Sequence, residues 1–106
     1  MVITNTEIKR ILREYEKALM PEISVKKVLL FGSYATGLAN IHSDLDVGVV
    51  IERIPDKTRV DITSRLFQIA WKVNPMIEPK CIYWDEYINP DPASIMSKIV
   101  STAVTL

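Results

Sequence analysis

The 106 residues carry 13 basic and 13 acidic side chains, so the formal net charge is zero, and 48% are hydrophobic against 25% charged. This is the composition of an ordinary soluble globular domain, and no internal repeat or low-complexity segment is visible. The balanced charge argues against a dedicated nucleic-acid binder, which carries a basic excess. The length fits one domain over residues 1–106, with enough core to fold without disulfide staples. No apolar run reaches the roughly 18 residues that a membrane span needs. The opening MVITNTEIKR also lacks the apolar segment of a secretory signal, so the expected location is cytoplasmic.

In chain order, TNTE at positions 4–7 reads as a capping box with Thr4 as N-cap and Glu7 at the third helical position; Asn5 and Thr6 are alternative caps. Ile8, Ile11, Leu12, Tyr15 and Leu19 then form one apolar stripe, opposite a mixed-charge face of Lys9, Arg10, Arg13, Glu14, Glu16 and Lys17. Pro21 stops this helix. Val25 to Phe31 reads as a central strand ending at Gly32, followed by a short helix within Ser33 to Ala39. From Asp44 to Ile51 apolar residues alternate with Asp44, Asp46, Gly48 and Val50, predicting a strand with one core face and one working face. After a connector over 52–56, Lys57 to Val73 predicts a second long helix, with Val60, Ile62, Leu66, Phe67, Ile69, Ala70 and Val73 on its apolar face.

Met76 to Trp84 predicts another strand, and Pro79 within it places that strand at a sheet edge or at a bulge. Cys81, the single cysteine, reads as a small buried hydrophobe. Asp85 to Pro92 predicts a loop, and Ala93 to Val100 a C-terminal helix fraying toward Leu106. Trp71, Tyr83, Trp84 and Tyr87 are read as core and edge packing. The order is that of an α/β (α+β) domain, helices flanking a small sheet.

The chemistry concentrates between residues 28 and 52. A glycine at a strand end lets backbone amides approach a ligand, and a helix start behind it aims N–H groups at an anion. Ser33 adds a hydroxyl donor and Gly37 keeps the far side of the turn unobstructed. Asp44 and Asp46, one residue apart on a strand, project from one face. Two such carboxylates suit a hard divalent cation, which typically takes one or two from the protein and completes its shell with water and substrate phosphates. Paired ions about 3.5–4 Å apart stabilise both oxygens of an in-line displacement.

Gly32-Ser33, ten residues, then Asp44-Leu45-Asp46 resembles the GSx10DxD signature of the DNA polymerase β-like nucleotidyltransferase superfamily. Phe31 before the glycine, Gly37 closing GSYATG, and Ser43 before the first aspartate strengthen the likeness. The short chain resembles the minimal nucleotidyltransferases (MNT) that pair with HEPN-domain toxins. The resemblance implies the polymerase β-like fold, with a small mixed sheet, and a third carboxylate on a later strand. Glu78, followed by Pro79, stands there as metal ligand or general base; Asp85 and Glu86 are fallback candidates in the next loop. Thr36 stands where the family often has arginine, and Glu78 where it more usually has aspartate.

The implied activity is transfer of a nucleoside monophosphate, AMP from ATP with Mg²⁺, to a hydroxyl of a protein, a HEPN toxin that this chain would neutralise as antitoxin. Gly32, Ser33 and Gly37 would hold the nucleotide; Asp44, Asp46 and Glu78 would hold a two-ion metal site. Competing readings are an antitoxin acting by contact alone, with a weak or vestigial site, and a small-molecule nucleotidyltransferase whose acceptor pocket is built by dimerisation; a homo- or hetero-oligomer is expected on either partner reading. His42 reads as incidental, and Lys80, on the face of Glu78, either neutralises phosphate or balances the acids.

Overall fold

The computed structural model describes residues 4–32, 34, 39, 44–93 and 104–105. Helix α1 (Asn5–Leu19) is capped by Thr4, whose Oγ1 accepts the Glu7 N–H at 3.2 Å. Ile8, Ile11, Leu12, Tyr15 and Leu19 are its buried residues, the predicted stripe. The helix ends where Met20 N–H reaches the Glu16 carbonyl, one residue before Pro21. Strands β1 (Val25–Phe31) and β2 (Leu45–Ile51) pair antiparallel. Helix α2 (Arg59–Val73) crosses over to β3 (Ile77–Tyr83), which therefore runs parallel to β2. A short helix α3 (Trp84–Ile88) follows, and β4 (Val104–Thr105) returns to pair antiparallel with β1. The sheet order is β3-β2-β1-β4.

The two long helices cover one face of the sheet. Ile8, Leu12, Tyr15 and Leu19 of α1 meet Ile62, Leu66, Ile69 and Ala70 of α2 over Val28, Leu30, Val47 and Val49 of the central strands. Tyr15, fully buried, donates its hydroxyl to the Leu66 carbonyl at 2.8 Å, tying α1 to α2. Burial pushes that phenol well above its ordinary pKa. The opposite face carries a smaller cluster, Leu29, Val50 and Ile82, with Phe31, Trp84 and Tyr87 packed against it. Gly48 makes room for it: a Cβ there would lie 2.7 Å from Ile82 Cδ1.

Several expectations change at this level. Thr58 rather than Lys57 opens the second helix; its Oγ1 accepts the Asp61 N–H at 3.1 Å and its own N–H donates to Asp61 Oδ2 at 3.0 Å, a full capping box. Val60, expected on the core face, is 74% exposed, because at 3.6 residues per turn it falls on the side of the helix away from the buried Ile62, Leu66, Ile69 and Ala70. The working face expected along β2 is confined to its first turn, since Val50 on that face is fully buried. Pro79 does sit in an edge strand.

The expected loop at 85–92 opens as helix α3. Asp85 accepts two hydrogen bonds from Arg53, both at 3.0 Å, and Glu86 Oε1 accepts from Arg59 at 2.6 Å and from Tyr83 N–H at 3.0 Å. Two acids in a first helical turn are also favoured by the helix dipole. The Tyr83 ring lies under both guanidinium groups, 4.2 Å from Arg53 and 4.5 Å from Arg59. Trp84 and Tyr87 stack at 5.6 Å as expected of edge packing, but Trp71 stands apart at 68% exposure. The predicted helix at 93–100 and most of that at 33–39 lie outside the described residues. No described helix is long and apolar enough to cross a membrane.

Candidate active site

β1 delivers Phe31 opposite Asp46 of β2, and β2 delivers Asp46 beside Glu78 of β3. On the sheet face away from α1 and α2, three adjacent strands thus present Phe31, Asp46 and Glu78 in one row. Lys80 follows Glu78 on the same face, opposite Gly48. The alternation that buries Ile77, Pro79 and Cys81 leaves Glu78 and Lys80 exposed.

Gly32 closes the row. Its φ of +72° is a left-handed conformation that side chains other than glycine rarely adopt. A Cβ at this position would lie 2.1 Å from Asp46 Oδ2 and 2.9 Å from its Cγ. The glycine is therefore required twice, for the backbone turn and for the carboxylate that lies against it. In the turn that follows β1, the bare backbone of Gly32 lets the Asp46 carboxylate lie close, and the acid row supplies negative charge for a cation.

Asp46 is half-buried, and its carboxyl holds a proton more tightly than an ordinary aspartate. Burial is the first cause, followed by the negative charges of Glu78 and Asp44 and by the Glu78 carboxyl within hydrogen-bonding reach; Lys80 pulls the other way. Acids held this close repel one another, and a cation placed between them removes the repulsion. Among the described residues no three His, Cys, Asp or Glu side chains form a ready-made cage. The donor set, Asp46 and Glu78 with exposed Asp44 at the head of β2, fits a cation that brings part of its shell with the substrate, as Mg²⁺ does.

Of the residues expected at the site, Gly32, Asp44, Asp46 and Glu78 are placed at one end of one sheet face. Ser33 and Gly37 lie outside the described residues, as do Thr36, His42 and Ser43. The fallback acids Asp85 and Glu86 follow the far end of β3, about five rungs or roughly 16 Å from Glu78, and are occupied by Arg53 and Arg59. Sequence reasoning missed the Leu29–Val50–Ile82 cluster that floors this face beyond the acids. Its signal was Gly48, a glycine in mid-strand, which often marks a close approach by another group.

A mixed sheet that sets paired carboxylates beside a glycine turn is the frame of a nucleotide-transferring domain. The pattern of the nucleotidyltransferase domain family matches residues 6–103, and the chain belongs to that family. Among curated proteins it is 43% identical over 53 residues to a candidate protein adenylyltransferase of Methanocaldococcus jannaschii, a stretch covering 50% of this chain and 62% of that protein. It is 39% identical over 54 residues to the protein adenylyltransferase MntA of Thermococcus cleftensis, covering 51% of this chain and 54% of that one. The matches thus span between half and two thirds of these relatives. The 1.40 Å crystal structure of a candidate nucleotidyltransferase from Sulfolobus solfataricus superposes with a TM-score of 0.54 at 19% identity, over 99% of this chain and 89% of that one, a likeness of fold. The superfamily expected from the Gly-Ser and Asp-x-Asp spacing is the one found.

Proposed function

We propose that this chain transfers AMP from ATP to a hydroxyl group on a protein. The observation that carries the reading is the Asp46 carboxylate, which lies against Gly32 and beside Glu78 of β3. The adenylyltransferase names of the relatives support the nucleotide and the class of acceptor. In this reading the turn at Gly32 and Ser33 receives the triphosphate, and Gly37 keeps its far side clear. Asp44, Asp46 and Glu78 would hold Mg²⁺, which when bound offsets the charge of the phosphates and of the departing pyrophosphate. The acceptor hydroxyl forms the new bond to the α-phosphorus as the bond to pyrophosphate breaks. Glu78, beside Asp46 at the end of the row, is the group assigned to take the hydroxyl proton as general base. The partner we assign is a HEPN-domain toxin encoded beside this chain, neutralised by modification of one of its hydroxyls, such as a tyrosine.

The test is to incubate the purified chain with α-labelled ATP, Mg²⁺ and the protein encoded by its genomic neighbour. Label should pass to the neighbour, stop when EDTA removes the metal, and fall at least about 100-fold in Asp46→Asn, the scale of losing a group that acts in the transition state. Neutralisation of the neighbour that survives Asp44→Asn/Asp46→Asn would mean that contact alone is the mechanism. Label appearing on a small hydroxylic compound but on no protein would make the chain a small-molecule nucleotidyltransferase.

A further inference from the structure

Helix α2 is apolar on two opposite sides. Its inner stripe, Ile62, Leu66, Ile69 and Ala70, is buried in the main core. At 3.6 residues per turn, Val60, Ser64, Phe67 and Trp71 fall within about 60° of one another on the reverse side. Val60 is 74% exposed and Trp71 is 68% exposed, and Phe67 is half-buried. Among the described residues, the partly buried side chains packed on the main core are Val25, Tyr34, Ile54, Val73 and Met76, and Phe67 is not one of them. A tryptophan and a phenylalanine on one exposed stripe are the residue types that anchor protein interfaces.

The stripe is complementary to itself. We infer that it pairs antiparallel with α2 of a second copy, making a two-fold dimer through this helix. A two-fold axis between positions 65 and 66 sets Val60 against Trp71 of the partner subunit and Ser64 against Phe67 of the partner subunit. Each of the four layers then matches a small side chain with a large aromatic one, the arrangement that lets two helices interdigitate. The flank agrees. Exposed Asp61 and Lys72 lie along the same side of the stripe near its two ends, so antiparallel pairing brings Asp61 beside Lys72 of the partner subunit, twice. Parallel pairing would instead place the two Asp61–Lys72 flanks on opposite sides of the seam, where they do not meet, and would set Trp71 against Trp71 of the partner subunit. Exposed charge pairs add little affinity but select the register. The paired helices lie on the sheet face away from Gly32, Asp46 and Glu78, so both acid rows stay open.

The register makes a distance prediction. With a rise of about 1.5 Å per residue, the two copies of position 64 are offset by only about 4–5 Å along the axis, whereas the two copies of position 60 are about 16 Å apart. A disulfide needs Cα atoms closer than about 7 Å. Ser64→Cys should therefore crosslink to itself under mild oxidation. Val60→Cys should not do so alone, but should crosslink when mixed with Trp71→Cys. The native Cys81 is buried and stays out of this chemistry. Sedimentation of the unmodified chain should give twice the chain mass at high micromolar concentration. Trp71→Glu should raise the dissociation constant by about tenfold or more, as loss of an interface anchor does, with far-UV circular dichroism unchanged because the side chain is exposed. A single-chain mass at every concentration, a dimer indifferent to Trp71→Glu, or self-crosslinking of Val60→Cys would each overturn the proposal.

Discussion

Asp46 occupies a position that works against the fold. Its proton affinity is raised by burial and by neighbouring acids, so the folded chain binds a proton more tightly there than the unfolded chain does. The linkage sign follows: stability falls as pH rises through the range in which the folded Asp46 ionises, and the ionised group is a net cost at neutral pH. Asp46→Asn should therefore raise the melting temperature at pH 7 while removing transfer activity. The gain should shrink as the pH is lowered toward the ordinary aspartate range. Melts of both proteins from pH 3.5 to 8 test this, and a variant that melts lower at pH 7 would show that the acid row is not strained. Gly32 makes the complementary case. An alanine there needs a left-handed backbone costing about 1–2 kcal/mol, and its methyl would also displace the Asp46 carboxylate. Gly32→Ala should lose both stability, by at least that amount in urea titration, and activity.

Within the elements, what was legible depended on how locally each was determined. The stripe of α1, the cap at Thr4 and the extents of β1 and β2 were legible because periodicity and capping act within a few residues. The closeness of Gly32 and Asp46 was implicit in the ten-residue spacing, since one connection brings the end of β1 back to the start of β2. Glu78 was reachable only by resemblance: nothing within MIEPK says that this strand runs parallel to β2 with Glu78 beside Asp46, a register set by the crossover through α2. Helix α3 was illegible for the same reason, as its first turn is held by Arg53 and Arg59, 32 and 27 residues earlier. Two element-scale outcomes are expected. Thr58→Ala removes the cap of α2 and should cost about 1 kcal/mol by urea titration. Gly48→Ala should destabilise through its 2.7 Å approach to Ile82 Cδ1, and Ile82→Val, which deletes that methyl, should cost less in the Gly48→Ala background than in the native one. A double-mutant cycle with no coupling would mean that the clash is relieved elsewhere.

Across the whole molecule, the site is held by strands from distant parts of the chain, and the last of them is the shortest. β4 offers two residues, Val104 and Thr105, opposite Leu30 and Leu29. It converts β1 from an edge strand into an interior one, two residues before Gly32. Without β4, the one of these two residues whose N–H and C=O point away from β2 loses the partners of both groups, although both side chains remain in the core. Each lost backbone hydrogen bond is worth about 1 kcal/mol net, so deleting Val104–Leu106 should lower stability by about 1–2 kcal/mol. Amide exchange at Leu29 or Leu30 should accelerate by about tenfold or more, the equivalent of that loss in local opening. Exchange in α2, which shares no hydrogen bond with β4, should change only as far as global stability does. If the Gly32 turn is held from β1, the deletion should also weaken ATP binding while leaving the α1 and α2 circular dichroism in place. Unchanged exchange at Leu29 and Leu30 would show that the end of the chain contributes nothing to ordering the strand that carries the turn.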